Sequence, residues 1–347
     1  MHLSPLVAAI MALPALSFAS PSAQNGHKKT SKSHITVDPS EEHQLIEGFG
    51  ISGAFQRAQL LLNVTQETQQ KLYDLIFSTS TGAGFSMLRN GIGSSNSSFN
   101  DWMNTHHPNN PGSPDAEPQY VWDDYDSGQL ALSQAAASYG VERFYANAWS
   151  SPGFMKNNSD DANGGLLRGV TGSFSPSSHC QGQDWRQAYA DYFVAYIRFY
   201  AAAGVNVTEL GFLNEPDLTT SYASMRSDPQ QTADFLPILH STLQREGLGH
   251  VGIACCEHTG WDETAANLAA LQELGAEKYL SHVTGHEYTS NISYALNTEL
   301  KVWQSEYCDL SDEWNPGWDG VNRGDGWRWA FVLHKALVTG NVNGYFW

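Results

Sequence analysis

Short apolar runs alternate with amphipathic stretches along this chain, and many of the runs end on a polar or charged residue. The clearest is Leu210-Gly211-Phe212-Leu213-Asn214-Glu215-Pro216-Asp217. An apolar run of that length suits a strand buried on both faces. Pro216 has no N–H for a sheet ladder and holds its neighbours out of helix, so the strand stops there. Glu215 therefore stands at the carboxyl end of a strand. The run Val302-Trp303-Gln304-Ser305-Glu306 repeats the arrangement and places a second glutamate in the same position.

The same reading extends along the chain. Ser33 to Leu45 predicts a lone edge strand, and the glycine-dense Glu47 to Phe55 a first buried strand ending in a tight turn. Thr65 to Phe77 carries Leu72, Leu75 and Ile76 at helical spacing. Phe85 to Arg89 is a second strand; residues 91–126 lack periodicity and read as a long loop of the kind that borders a binding cleft. Ser127 to Tyr139 is helical and Val141 to Ala148 a third strand. Asp184 to Ala203 predicts a helix, with Asp184 as cap and Gln187 completing a capping box. After the strand at 209–214, Asp228-Pro229 opens a helix running towards Gly247, with Pro237 expected to kink it. Val251 to Cys256 is a fifth strand, 263–274 a helix, His282 to Tyr288 a sixth strand and Lys301 to Glu306 a seventh. Trp327 to Val338 is helical and Gly344 to Trp347 begins an eighth strand. Eight strands alternating with helices over about 300 residues define an α/β fold, the (β/α)8 TIM barrel.

Composition narrows the choices. The chain has 347 residues, enough for one large core, and its net charge of -18 opposes nucleic acid, whose phosphates it would repel. An anionic polymer would need a local cation to overcome the same field. The 11 Trp and 15 Tyr either fill the core or line a groove with the flat faces that sugars stack on. Residues 1–19 read as a secretory signal with an apolar core from Leu6 to Leu16, and residues 20–33 as a disordered leader. That run is too short to span a membrane. Sequons at Asn63, Asn96, Asn157, Asn206 and Asn291 fit secretion, so an extracellular glycoprotein is expected. Four cysteines (Cys180, Cys255, Cys256, Cys308) permit three full pairings, and neighbours Cys255 and Cys256 should face opposite sides of their strand. No CxxC spacing points to a metal, and adjacent His106 and His107 are poorly placed to share one ion.

In a barrel the strand ends converge on one face. That brings together Arg89, Trp149, Asn214 beside Glu215, His286, Tyr288, Glu306 and Trp347. Two carboxylates on opposite walls of a cleft are the equipment of a glycosidase. One must carry a proton to the leaving oxygen, and the other must stay ionised, which Arg89 favours at Glu306. Asn214 suits a hydrogen bond to a substrate hydroxyl; His286 and Tyr288 suit the orientation of a glutamate. Trp314, Trp318 and Trp327 are candidate sugar platforms.

These pieces, taken in order, resemble glycoside hydrolase family 30, in particular its fungal xylanases. The resemblance rests on Gly48-Phe49-Gly50 with Gly53-Ala54-Phe55, Arg89-Asn90, Ala148-Trp149-Ser150, Asp184-Trp185-Arg186, Asn214-Glu215-Pro216-Asp217, Tyr222, Cys255-Cys256 and Ser305-Glu306. It covers Ile35 to Trp347. It implies a retaining mechanism with Glu215 as acid/base and Glu306 as nucleophile, a substrate of β-1,4-linked xylose, and no cofactor. In similar enzymes that cut at glucuronic acid branches, an arginine in the loop after the first strand holds the acidic group. Arg57 occupies that loop here, and a guanidinium forks onto a carboxylate.

The family's companion β-sandwich follows its eighth strand, whereas this sequence ends at Trp347, so the barrel is expected to lack that domain. Glu287 stands where relatives often have Asn, and strand alternation should turn it out of the lumen. The expectation is a secreted, monomeric endo-β-1,4-xylanase acting on xylan or glucuronoxylan. Its rivals are an endo-β-1,6-galactanase, an exo-acting xylan hydrolase, or a carbohydrate-binding protein without catalysis.

Overall fold

Eight parallel strands close on themselves in the computed structural model, which describes residues 35–53, 57–95, 104–124, 126–169, 183–311, 315–318, 320 and 324–347. The strands are β1 (Gly48–Ser52), β2 (Met87–Ile92), β3 (Arg143–Ala148), β4 (Glu209–Gly211), β5 (Gly252–His258), β6 (His282–His286), β7 (Lys301–Glu306) and β8 (Gly344–Phe346). Each pairs with its successor in parallel, and β1 pairs with β8 to complete the ring. The described helices are α1 (Arg57–Leu62), α2 (Gln66–Phe77), α3 (Gln129–Ser138), α4 (Arg186–Ala202), α5 (Pro229–Arg245), α6 (Trp261–Glu273) and α7 (Gly326–His334). The expected (β/α)8 barrel is present. Residues 287–300, between β6 and β7, form no helix.

Two layers of core follow from strands buried on both faces. Outside the ring, Leu88, Phe144, Leu210 and Ile253 pack against Tyr189, Phe193, Ile197 and Leu239 of the helices. Inside it, Met87, Tyr145, Ala254, Trp303 and Phe346 meet from five different strands and fill the lumen. Gly211 has a specific steric reason. A Cβ there would collide with the Asn147 amide and the Tyr145 hydroxyl, both of which serve the site described below.

Several local expectations fail, each for a physical reason. No strand forms over residues 35–46. Pro39 has no N–H to pair, and Asp38 turns back to accept from the Ser40 N–H at 2.9 Å. The capping box is not at Asp184, because that carboxylate is engaged by the Arg186 guanidinium and Gln187 reaches Asp191 and Thr242 instead. It occurs at α5, where Asp228 and Gln231 exchange both bonds. Pro237 lies inside that helix, where the sequence reading put it. Cys255 and Cys256 do not sit in separate environments; they are joined to each other by a disulfide. Just beyond them the β5–β6 register slips, between Cys256 and His258. Cys180, Trp314, residues 1–34 and the sequon at Asn96 lie outside the described residues.

The amino-terminal mouth of the ring is tied by Glu47, just before β1. Its carboxylate accepts from His282 Nε2 at 3.0 Å and Trp303 Nε1 at 2.8 Å, pairs with Arg143 at 3.1 Å, and also takes a bond from Lys301. Burial works to raise its pKa, but these donors outweigh that and hold it at about 2.

Candidate active site

At the opposite mouth, residues on or just past β2, β3, β4, β5, β6 and β7 turn toward one another. From β2, Arg89 is wholly buried and donates from Nη1 to Glu306 Oε2 at 2.6 Å. Its Nη2 donates at 2.7 Å to both Asn214 Oδ1 and Glu257 Oε2. The Trp149 ring, one residue past β3, lies 4.5 Å from the guanidinium carbon. Asn214 also accepts from Asn147 Nδ2 at 3.3 Å, so its carbonyl faces inward and its NH2 is left to donate elsewhere.

Glu215 and Glu306 face one another across this floor. One oxygen of each, with one nitrogen of His286, forms a triangle whose atoms all lie within 4.8 Å of each other. Glu306 is held at both oxygens, by Arg89 at one and by the Tyr288 hydroxyl at 3.1 Å at the other. Burial works to raise the Glu306 pKa, but the charges of His286 and Arg89 prevail and keep it below the ordinary glutamate value. Glu215 adopts a left-handed backbone with φ 46°, and its N–H donates to the Glu257 carbonyl at 2.7 Å. Non-glycine residues in that region are strained, and such strain clusters where a side chain must be aimed.

His286 sits between the carboxylates. Its Nδ1 is 3.2 Å from Glu215 Oε1 and its Nε2 2.8 Å from Glu257 Oε2. Burial disfavours its charge, yet Glu306, Glu215 and Glu257 together push its pKa up to about 10. With a carboxylate oxygen at each nitrogen, the surroundings favour the imidazolium, donating from both. This triangle is the described grouping with metal-ligand spacing, but an imidazolium has no lone pair to offer an ion.

Seven of the nine residues anticipated from sequence gather here: Glu215, Glu306, Arg89, Trp149, Asn214, His286 and Tyr288. Trp347 does not join them within hydrogen-bonding range. It lies at the rim, half exposed, with its ring edge-on to Trp329 at 6.4 Å. The Arg57 side chain is outside the described residues, although its backbone begins α1. Trp318 and Trp327 are exposed rather than core, and Trp327 stacks on Phe331. His106 is buried against Tyr192, with Nε2 bonded to the Tyr192 carbonyl, and burial lowers its pKa to about 3. Glu287 does turn out of the lumen, accepting from the Ile292 N–H at 3.0 Å.

The residues that pattern reading missed are Glu257 and Tyr145. Glu257 is the extra residue where β5 slips register, with φ 59°, so period-two alternation does not reveal its direction. The available signal was Glu257-His258 at the carboxyl end of a strand that had been expected to stop at Cys256. Tyr222 belongs to the family resemblance and to no strand end. The charges of Glu215 and Glu306 add to burial in raising its pKa, which puts its ring near both.

A profile described as O-glycosyl hydrolase family 30 matches residues 32–295. The chain belongs to glycoside hydrolase family 30. The catalytic domain of the family 30 xylanase C of Talaromyces cellulolyticus superposes with a TM-score of 0.83 at 39% identity, covering 89% of this chain and 69% of that one. An endo-1,6-β-D-glucanase of Trichoderma harzianum is 28% identical over 82% of this chain and 57% of its own length. An endo-1,6-β-D-glucanase of Neurospora crassa is 23% identical over 88% of this chain and 60% of its own. This family 30 chain thus spans somewhat more than half the length of the curated relatives it matches. Within the described residues no helix is long and apolar enough to cross a membrane.

Proposed function

We propose that this family 30 chain is a secreted, monomeric, retaining endo-β-1,4-xylanase acting on xylan and glucuronoxylan, with Glu306 as nucleophile and Glu215 as acid/base. The observation that carries the mechanism is the approach of the two carboxylates to within 4.8 Å. Retaining enzymes hold their carboxyl groups about 5–5.5 Å apart, whereas inverting ones leave about 6.5–9.5 Å for a water between them. The division of roles follows the surroundings. Glu306 is doubly held and kept ionised, which suits attack on the anomeric carbon. Glu215 then protonates the leaving oxygen, and afterwards removes a proton from the water that hydrolyses the glycosyl-enzyme.

Asn214 donates its NH2 to a hydroxyl of the sugar that reacts, and Trp149 gives that sugar a face. Arg57 receives the acidic branch of glucuronoxylan. No cofactor enters the reaction. The xylan assignment draws on the 39% identity with a xylanase catalytic domain. A second reading, β-1,6-glucan, draws on the fungal endo-1,6-β-D-glucanases at 28% and 23% identity.

Purified secreted protein would be given glucuronoxylan, arabinoxylan and β-1,6-glucan in parallel, with Glu306→Gln, Glu215→Ala and Arg57→Ala beside it. Xylo-oligosaccharides carrying acidic branches are expected from the wild type, and loss of product by at least about a thousandfold in Glu306→Gln. Arg57→Ala should lower turnover of glucuronoxylan more than that of arabinoxylan. Release of gluco-oligosaccharides alone would replace the xylan reading with the second one. Binding without release of any product would leave the chain a carbohydrate-binding protein.

A further inference from the structure

Glu257 is the most enclosed carboxylate in the site, and neither proposed chemical step uses it. It is fully buried, and a buried charge is retained only when paired and hydrogen-bonded. Its Oε2 accepts at once from Arg89 Nη2 at 2.7 Å and from His286 Nε2 at 2.8 Å. Its Oε1 accepts from the Tyr145 hydroxyl at 2.8 Å, and its backbone carbonyl accepts from the Glu215 N–H at 2.7 Å. One residue thus touches the guanidinium that holds Glu306, the imidazole that meets Glu215, and the backbone of Glu215 itself.

We propose that Glu257 is the positioning residue of the acid/base pair. Its single carboxylate is the shared counter-ion of Arg89 and His286, and so keeps His286 donating from both ring nitrogens, one of them to Glu215. This rests on Glu215 and Glu306 having the roles given above. The charges make the need plain. Arg89 and His286 are two buried cations side by side, and Glu306 alone cannot balance both. Glu257 completes the balance, two cations against two carboxylates, while Glu215 exchanges its proton during each cycle. The groups facing His286 are Glu215 after β4, Glu257 and His258 from β5, Tyr288 after β6, and Glu306 from β7, with Arg89 from β2 on the same Glu257 oxygen. Of these only the three carboxylates favour its charge, and Glu257 makes the shortest contact. An imidazolium donating to Glu215 steadies that side chain as a carboxylate, the form it must take between the two steps.

Two measurements test the assignment. In protein with ¹⁵N-labelled histidine, the His286 resonances of the wild type should report both nitrogens protonated from about pH 5 to about pH 8. A neutral tautomer there would overturn the proposal without any variant. In Glu257→Gln, His286 should lose its second proton inside that range. The alkaline limb of kcat/KM should move to higher pH by about one pH unit, because a neutral His286 no longer steadies ionised Glu215. Glu257→Asp, which restores the charge, should bring the limb back. A role in packing alone would lower the melting temperature of Glu257→Gln and leave the limb and the histidine resonances where they were; that result would also overturn the proposal. The two readings separate cleanly. A wild type that cleaves no β-glycoside refutes the proposed function, and the histidine spectrum still reports on Glu257.

Discussion

Arg89 shows at the scale of one residue why a site can be legible and still incomplete. As a cation at the end of an apolar run it was visible from sequence, and the structure gives its planar fork three acceptors on three different strand ends. Lysine offers a point charge on a flexible stem and cannot satisfy all three. Arg89→Lys should therefore lower kcat/KM by about a hundredfold or more, with the far-ultraviolet circular dichroism unchanged. A loss of less than about tenfold would mean that the fork is dispensable and charge is enough. Glu215 and Glu306 were legible because each directly ends a run that identifies its own strand. Glu257 was not, because it follows two cysteines in a bulged strand where neighbouring side chains no longer alternate.

Among elements, β1 depends on the residue before it. Glu47 collects donors from β3, β6 and β7 at the mouth opposite the active site, where a carboxylate has no part in the chemistry and serves the ring. Its folded pKa is depressed to about 2. Its contribution is therefore complete above the ordinary glutamate range and lost as pH falls through about 2. Glu47→Gln should cost about 3 kcal/mol in urea denaturation at pH 7. The gap from wild type should shrink steadily as pH drops from about 4.5 toward 2. A constant gap across that interval would show that packing, not charge, explains the loss. The elements misread from sequence share one cause. At Asp184 and around Pro39, a short polar side chain or a missing N–H found a local partner stronger than the pattern allowed for.

For the whole molecule, charge is the property that reaches beyond contact distance. A net charge of -18 repels any anionic polymer until salt screens it. Raising ionic strength from about 10 mM to about 150 mM should lower KM for glucuronoxylan and leave KM for a neutral xylan almost unchanged. If KM for glucuronoxylan rises instead, a local cation such as Arg57 outweighs the overall field. The closed ring was legible at this scale because eight runs of strand length recur with helices between most of them, and few architectures bury so many strands on both faces.

Runs of apolar residues carry strand positions, and the residue that ends a run carries the chemistry of a barrel mouth; both are properties of neighbours along the chain. That is why the fold, the two glutamates, Arg89, Asn214, His286 and Tyr288 are all readable from the sequence. Closure of the ring is what brings residues far apart in sequence within a few ångströms. Only then does Arg89 acquire Glu257 as a partner 168 residues away, and His286 a place between two carboxylates. The protonation of a buried group depends on the sum of charges around it, and that sum exists only in three dimensions.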